Sequence, residues 1–101
     1  MKPVTQINFI SMKPGKIDEF IEAQRKYFAS TTRPKGLLAS RVYRGIDDKS
    51  VALVTEFESI QAQEEILQRE VLKQHINALR PLVESSNPCL YEEAYITGDF
   101  K

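Results

Sequence analysis

Four segments of the chain are predicted to be strands, and in each of them both alternating sets of side chains are largely apolar. Between residues 4 and 11, for example, Ile10 belongs to one set and Phe9 to the other. The same double pattern recurs in residues 37–44, 51–58 and 89–97. Because successive side chains of a strand point to opposite faces, a sheet with one solvated face would show one polar set. The pattern therefore predicts a sheet that is covered on both faces.

Two segments have the periodicity of amphipathic helices. Residues 16–30 carry an apolar stripe at the spacing of one helix face. Residues 60–84 form a second helical region, which follows Ser59, a residue type favoured as a helix N-cap. The phase of the apolar stripe changes along this region and predicts a break at residues 68–70. Pro81 predicts a bend or a restart, because proline cannot donate a helical hydrogen bond.

The order of these elements is β-α-β-β-α-β, with residues 45–50 as a hairpin turn and residues 85–88 as the end of the second helical region. This order predicts one α+β domain over residues 1–101, with a ferredoxin-like arrangement of two helices on one face of a four-stranded antiparallel sheet. The other face would expose a large apolar patch. A second copy of the chain, packed sheet to sheet, would cover it, so the pattern predicts a homodimer.

Charge and composition exclude several classes of protein. The chain has 14 basic and 14 acidic residues, a balance that argues against nucleic acid or an anionic membrane as the main partner. Cys89 is the single cysteine, so no intrachain disulfide forms and no cysteine-based metal spacing exists. Residues 1–12 lack the pattern of a signal peptide, and no segment has the length of a membrane span. We expect a cytoplasmic protein.

Three short motifs are similar to those of a known family. They are the turn of residues 12–16 (MKPGK), the strand between Gly36 and Gly45, and residues 57–60 (FESI) at the start of the second helical region. In these motifs the chain resembles the antibiotic biosynthesis monooxygenases, a family of the dimeric α/β barrel superfamily. The resemblance implies a barrel made from two sheets, and an activity of the quinol-oxidising or the heme-degrading kind.

Two polar residues in apolar surroundings are the candidates for catalysis. His75, the only histidine, lies in the apolar stripe of the second helical region, where it would be neutral and able to act as a general base. Its alternative interpretation is a core histidine bonded to a backbone carbonyl. Asn8 interrupts an apolar strand and could bind a substrate oxygen, or it could lie at the solvated margin of the strand. The resemblance adds that heme-degrading members have an asparagine at the same distance before the glycine equivalent to Gly15.

Aromatic residues are predicted to form the substrate-binding walls: Phe57, Phe20 and Phe28. Tyr27, on the shoulder of the stripe of the first helix, could add a phenol to the substrate-binding cavity, and its alternative interpretation is a core aromatic. Phe57 stands where most members of the resembled family have tryptophan, so an apolar wall is kept but the indole N–H is lost. The helix histidines of quinol monooxygenases correspond to Ile66 and Val71 here. The histidine of the heme-degrading members corresponds to Ile76, one residue beyond His75.

Three functions are consistent with the sequence. The first is a cofactor-independent monooxygenase that oxidises a phenol or hydroquinone with O2, with His75 as base and Asn8 holding the oxyanion. The second is a heme-degrading enzyme with His75 as the axial ligand of the iron. The third is a non-catalytic dimeric barrel that binds a small hydrophobic ligand. The first two rest on the resemblance, and the residue pattern alone indicates a cavity with two polar groups.

Overall fold

A computed structural model describes residues 2–100 and shows an antiparallel sheet with helices packed on one face. The elements in chain order are β1 (Val4–Met12), α1 (Ile17–Ser30), β2 (Leu37–Arg44), β3 (Ser50–Phe57), α2 (Ile60–Leu67), α3 (Glu70–Leu79), a short 3-10 helix (Arg80–Leu82) and β4 (Val83–Tyr91). The four strands lie in the order β2-β3-β1-β4. This is the predicted α+β, ferredoxin-like topology, which is thereby confirmed.

The second helical region is divided where the change of phase predicted a break. Helix α2 ends at Leu67 and α3 begins at Glu70. Ser59 caps α2, since its Oγ accepts a hydrogen bond of 3.0 Å from the backbone N–H of Ala62. Pro81 lies in the 3-10 helix that follows α3. The N-cap, the break and the disturbance at the proline are all confirmed.

The prediction of the last strand over residues 89–97 is wrong. Strand β4 starts at Val83, and its ladder with β1 runs from Val83 opposite Met12 to Tyr91 opposite Thr5. Because β1 begins at Val4, the ladder cannot continue much beyond Tyr91. The polar residues 85–88 resemble a loop in sequence, but they form part of an edge strand, where serine and proline are tolerated.

The face of the sheet that carries the helices has a core in two parts. One cluster of buried residues comprises Ile10, Met12, Ile17, Phe20, Val51, Leu79 and Leu82, and the other comprises Val4, Leu37, Phe57 and Ile66. On β1 the residues between Val4 and Ile10 that point to the same face are Gln6 and Asn8. The helix-facing side of β1 is therefore apolar at both ends and polar in the middle, between the two clusters.

The opposite face of the sheet, the open face, carries exposed apolar side chains together with Arg41 and Glu56, and residues 92–96 and Phe100 border a pocket on it. Phe9 is 57% exposed, and Tyr43 on β2 and Tyr91 on β4 are each about half exposed. Ile7 and Val54, paired across β1 and β3, share this face and are half-buried. The predicted second apolar face is thus present in the molecule. Within residues 2–100, no helix has both the length and the apolar character that a membrane span requires.

Candidate active site

A cavity of about 410 Å³ lies between the sheet and the helices, at the polar middle of β1. Gln6 and Asn8 supply its polar floor, and His75 of α3 and Gln24 of α1 also line it. The remaining lining is mainly apolar and includes Phe28, Leu37, Leu53, Phe57, Ile66 and Leu72. A few polar groups converging in a largely apolar hollow is the usual composition of a small-molecule site.

His75 is held by two residues of α1. Its Nε2 atom is hydrogen-bonded to the Oε1 atom of Gln24, a side chain that is buried. Its ring stacks on that of Tyr27, with 3.9 Å between the ring centroids and 12° between the ring planes. An amide oxygen only accepts hydrogen bonds, so Nε2 carries the hydrogen and Nδ1 keeps the lone pair. Nδ1 makes no hydrogen bond with any residue of the described range 2–100.

Burial determines the protonation state of this histidine. Desolvation lowers the pKa of His75 below its ordinary value of 6.5, because the charged imidazolium loses hydration. The described chain places no carboxylate against the ring, and the neighbouring groups, Gln24 and Tyr27, are neutral. His75 is consequently a neutral imidazole at pH 7, with the lone pair that a general base needs.

Asn8 presents an amide donor in the same cavity. Its Oδ1 atom accepts a hydrogen bond of 3.0 Å from the backbone N–H of Asn87 on β4. Because the backbone N–H can only donate, the amide atom that it contacts is the oxygen, and the nitrogen Nδ2 points elsewhere. This bond fixes the orientation of the carboxamide. Nδ2 makes no hydrogen bond within residues 2–100. Asn8 thus brings an unused donor to the cavity, and His75 brings an unused acceptor.

Four other polar side chains of the cavity are bonded in pairs. Gln63 Nε2 donates to Gln6 Oε1 at 2.9 Å. Ser40 Oγ and Thr55 Oγ1 are 3.2 Å apart and share a hydrogen bond. Such pairing is expected of polar groups that are withdrawn from water. Hydrogen-bonding atoms that stay unused in the described residues include Nδ1 of His75 and Nδ2 of Asn8, as well as Nε2 of Gln6 and Oε1 of Gln63.

The structure brings together most of the predicted site residues. His75, Asn8, Phe57 and Phe28 line the cavity, and Tyr27 is the stacking partner of His75. Phe20 does not reach the cavity, because it is fully buried in the core cluster with Ile10 and Val51. Phe20 therefore faces the part of the sheet that is packed with core residues, and not the part that encloses the cavity.

Gln24 is the residue that the sequence analysis missed. It lies four residues after Phe20 and seven after Ile17, and therefore falls on the apolar stripe of α1. A glutamine on such a stripe must find a partner in the interior. His75 is likewise a polar residue on an apolar stripe. The two signals together could have indicated that Gln24 and His75 are hydrogen-bonded to each other.

No group of three or more histidine, cysteine or acidic side chains suited to a metal ion is present in residues 2–100. The polar functional groups among the lining residues of the cavity are an imidazole, four carboxamides, three hydroxyls and a thiol. Chemically, this set can bind a neutral or anionic oxygen and remove one proton from it.

Solved structures share this fold at low sequence identity. A variant of SnoaB, described as a cofactor-independent oxygenase from Streptomyces nogalater, is 21% identical, with a TM-score of 0.84 over 98% of this chain and 100% of that chain. A protein from Bordetella bronchiseptica, provisionally described as an antibiotic biosynthesis monooxygenase, is 13% identical, with a TM-score of 0.83 over 94% of this chain and 100% of that chain. A protein from Shewanella oneidensis is 22% identical, with a TM-score of 0.77 over 89% of each chain.

Sequence comparison adds the family. Curated proteins give no match. The family model described as antibiotic biosynthesis monooxygenase matches residues 3–78. That match runs from β1 to the last turn of α3 and includes Asn8, Gln24, Phe57 and His75. This chain belongs to the antibiotic biosynthesis monooxygenase family.

Proposed function

We propose that the cavity is the active site of a cofactor-independent monooxygenase that oxidises an electron-rich phenol or hydroquinone with O2. The observation that carries this proposal is the convergence of His75 and Asn8 on one cavity, each with a hydrogen-bonding atom unused. Membership of the family supports an oxygenase. The fold is shared with an enzyme described as a cofactor-independent oxygenase, which agrees with chemistry that needs only substrate and O2.

His75 acts as the general base. Its Nδ1 atom takes the proton of the substrate hydroxyl, and the imidazolium that forms keeps its Nε2–H bonded to Gln24. The stack on Tyr27 fixes the plane of the ring, so that the lone pair has one direction. Deprotonation is the necessary first step, because a phenolate gives up an electron to O2 far more easily than a phenol.

Asn8 stabilises the anion that results. The Nδ2 group donates a hydrogen bond to the phenolate oxygen, at the point where negative charge develops. The bond between Oδ1 and the backbone of Asn87 holds the amide in place beforehand, so little reorganisation accompanies the reaction. Phe57 and Phe28 supply apolar walls for the ring of the substrate.

The remaining steps use electrons from the substrate alone. The phenolate transfers one electron to O2, and the radical and superoxide combine to form a bond between a ring carbon and oxygen. The O–O bond of this peroxide then breaks as the ring carbon loses its hydrogen and becomes a carbonyl. One oxygen atom stays in the quinone product, the other leaves as water, and the substrate supplies all four electrons that reduce O2.

The heme-degrading alternative gains no support from the geometry. An axial ligand needs a ring nitrogen with open approach for the iron. Nε2 of His75 is bonded to the buried Gln24, so Nδ1 is the ring nitrogen left for an iron, and one face of the ring is covered by Tyr27. Heme titration tests this directly: we expect no Soret shift that depends on His75. A shift that is present in the native protein and lost in His75→Ala would favour heme.

Oxygen consumption with a panel of hydroquinones tests the main proposal. We expect turnover that requires O2, that incorporates one atom of isotopically labelled O2 into the product, and that falls at least about 100-fold in His75→Ala, the loss typical of a missing general base. Equal and slow turnover with and without O2, unaffected by the substitution, would overturn it. Binding of hydroquinones without turnover would favour the non-catalytic barrel.

We propose further that the protein is a homodimer through the open sheet face, as in a dimeric α/β barrel. An exposed apolar surface built on Phe9, Tyr43 and Tyr91 is costly for a protein in water. A second copy of the same face would cover it at the usual spacing of packed sheets, about 10 Å. The helices and the cavity lie on the other side of the sheet, so dimer formation leaves the site accessible.

A further inference from the structure

A second hollow adjoins the cavity and leads away from it. This groove, of about 710 Å³, lies between α1 and the edge strand β2. Gln24, Phe28, Leu37 and Ser40 line both the cavity and the groove, so the two spaces are neighbours along a shared wall. The shared wall includes Gln24, the amide that holds His75. A ligand with its ring beside His75 could extend a substituent into the groove.

The groove is basic, although the chain as a whole has no net charge. Arg25 and Arg33 line it, and Arg41 borders it from β2. The side chain of Arg41 lies on the other face of the sheet, since Arg41 pairs with Val54 and donates to Tyr43. Among its lining residues, all within the described part of the chain, there is no aspartate or glutamate. The rest of the lining is apolar or neutral, with Ile21, Leu38 and Val42 among the apolar residues. A hollow with cationic groups and no anionic ones attracts negatively charged ligands.

The three arginines differ in the partners they already have. Arg25 Nη1 is 3.0 Å from Glu22 Oε2 in an exposed ion pair on α1. Arg41 Nη1 donates to the hydroxyl of Tyr43 at 2.8 Å. Arg33, in the loop between α1 and β2, makes no hydrogen bond or ion pair with residues 2–100. Arg33 is thus the cation in the groove with its full capacity left for a ligand.

We propose that the groove binds a carboxylate carried by the substrate, with Arg33 as its main partner and Arg25 as a second. This inference rests on the proposed function, and it narrows the substrate to a phenol or hydroquinone with an acidic side chain. A guanidinium group offers two parallel N–H donors to a carboxylate, which suits this role better than a point charge would. The apolar side chains of Ile21 and Leu37 contact the alkyl part of the substituent.

Binding measured without O2 tests the inference independently of turnover. Two ligands are compared by calorimetry: a hydroquinone with a propanoate side chain, and the same hydroquinone with the primary amide. We expect the acid to bind the native protein about fivefold more tightly than the amide, the effect typical of an exposed ion pair. The ratio should fall to near one in Arg33→Gln and by a smaller amount in Arg25→Gln. It should also decrease as salt is added.

Arg80→Gln is the matched control, because it removes one positive charge from a residue that lines neither the cavity nor the groove. It should leave the ratio unchanged. Equal affinities for acid and amide in the native protein, no binding of either, or an unchanged ratio in Arg33→Gln would each overturn the inference. A loss of preference together with normal oxidation of neutral hydroquinones would reject the groove and leave the proposed activity standing. A clear preference for the acid over the amide, without oxidation of any hydroquinone, would support the groove and reject the proposed activity.

Discussion

Gln24 on α1 accepts a hydrogen bond from Nε2 of His75 on α3, across the space between the two helices. The partner is an uncharged amide, so it orients the imidazole without stabilising the imidazolium as a carboxylate would. Burial is then the dominant influence on the ring, and it lowers the pKa of His75. The pair thus combines a fixed tautomer with a neutral, basic nitrogen.

Gln24→Glu should reverse this electrostatic arrangement. A carboxylate next to Nε2 favours the imidazolium, and we expect the pKa of His75 to rise by about one unit or more. Because the base works in its neutral form, the acid limb of the pH–rate profile should move to higher pH by the same amount. His75 is the only histidine, so its ring protons give a single NMR titration. Gln24→Met, which has similar volume and no charge, should lower the rate without raising the pKa; an equal pKa in all three proteins would contradict the assignment.

Acid should destabilise the fold through His75. Its pKa is lowered in the folded protein, so the unfolded chain binds the proton more tightly. The contribution of His75 to stability is therefore complete above pH 6.5, the pKa of the histidine in the unfolded chain. It is lost as the pH falls from there towards the lower pKa of His75 in the folded protein. We expect the denaturant midpoint to decrease between about pH 7 and pH 5.5, a range that lies above most carboxyl titrations. His75→Gln should show a flatter dependence there, and an identical slope in both proteins would show that another group is responsible.

Asn8→Asp separates the two roles of Asn8. The carboxylate can still accept the hydrogen bond from the Asn87 backbone, so the fold should be nearly as stable as before. It replaces the free N–H donor by a negative oxygen, which repels a phenolate. We expect the turnover rate to fall about 100-fold to 1000-fold, the loss seen when an oxyanion donor is removed. Asn8→Ala, which loses both roles, should also cost about 1 kcal/mol of stability. Full activity in Asn8→Asp would remove Asn8 from the site.

Most of the fold follows from local patterns in the sequence. The hairpin between β2 and β3, the cap at Ser59 and the break before Glu70 are each determined by residues close in the chain. The last strand was misplaced because its polar residues are specified by pairing with β1, a long-range contact that local periodicity does not reveal. Sequence patterns also show that a second sheet face is apolar, but they do not show which surface covers it.

The site was predictable only in part, for a similar reason. His75 and Asn8 stand out because each is polar in an apolar pattern. Gln24 has the same signature, but its meaning depends on the packing of α1 against α3. The position of Phe20 in the core rather than the cavity depends on where along the sheet the two core clusters separate. Periodicity assigns a residue to a face, and tertiary packing decides which part of that face encloses a cavity.

Gly36→Ala should destabilise the fold much more than Gly15→Ala. Both glycines have positive φ, of 95° and 74°, so alanine is strained at each. A Cβ atom at Gly36 would also lie 2.9 Å from the Cβ of Ala62 on α2, whereas at Gly15 it would meet open space. We expect a loss of about 1 kcal/mol at Gly15 from strain alone, and about 2 to 4 kcal/mol at Gly36, where overpacking adds to it. Denaturant unfolding measures both, and equal losses would show that α2 moves aside freely.

Phe9→Glu should prevent dimer formation. Phe9 lies on β1 near the middle of the open face, opposite Ala52 on β3 and Asn87 on β4. A glutamate there would have to be buried without a partner between two packed sheets, which is strongly unfavourable. Sedimentation velocity at micromolar concentration should show a dimer for the native protein and a monomer for the variant.

Ile46→Glu is the control for that experiment. Ile46 is fully exposed in the turn between β2 and β3, so the same change of an apolar residue to glutamate is made outside the face. This variant should remain a dimer. A native protein that sediments as a monomer would reject the sheet-to-sheet dimer, whereas a dimer that persists in Phe9→Glu would place the interface on another surface. The cavity lies on the helix side of the sheet, so a monomeric Phe9→Glu variant should keep the ligand-binding groups of the native protein. The affinity of this variant for hydroquinones therefore tests whether the site is complete within one chain.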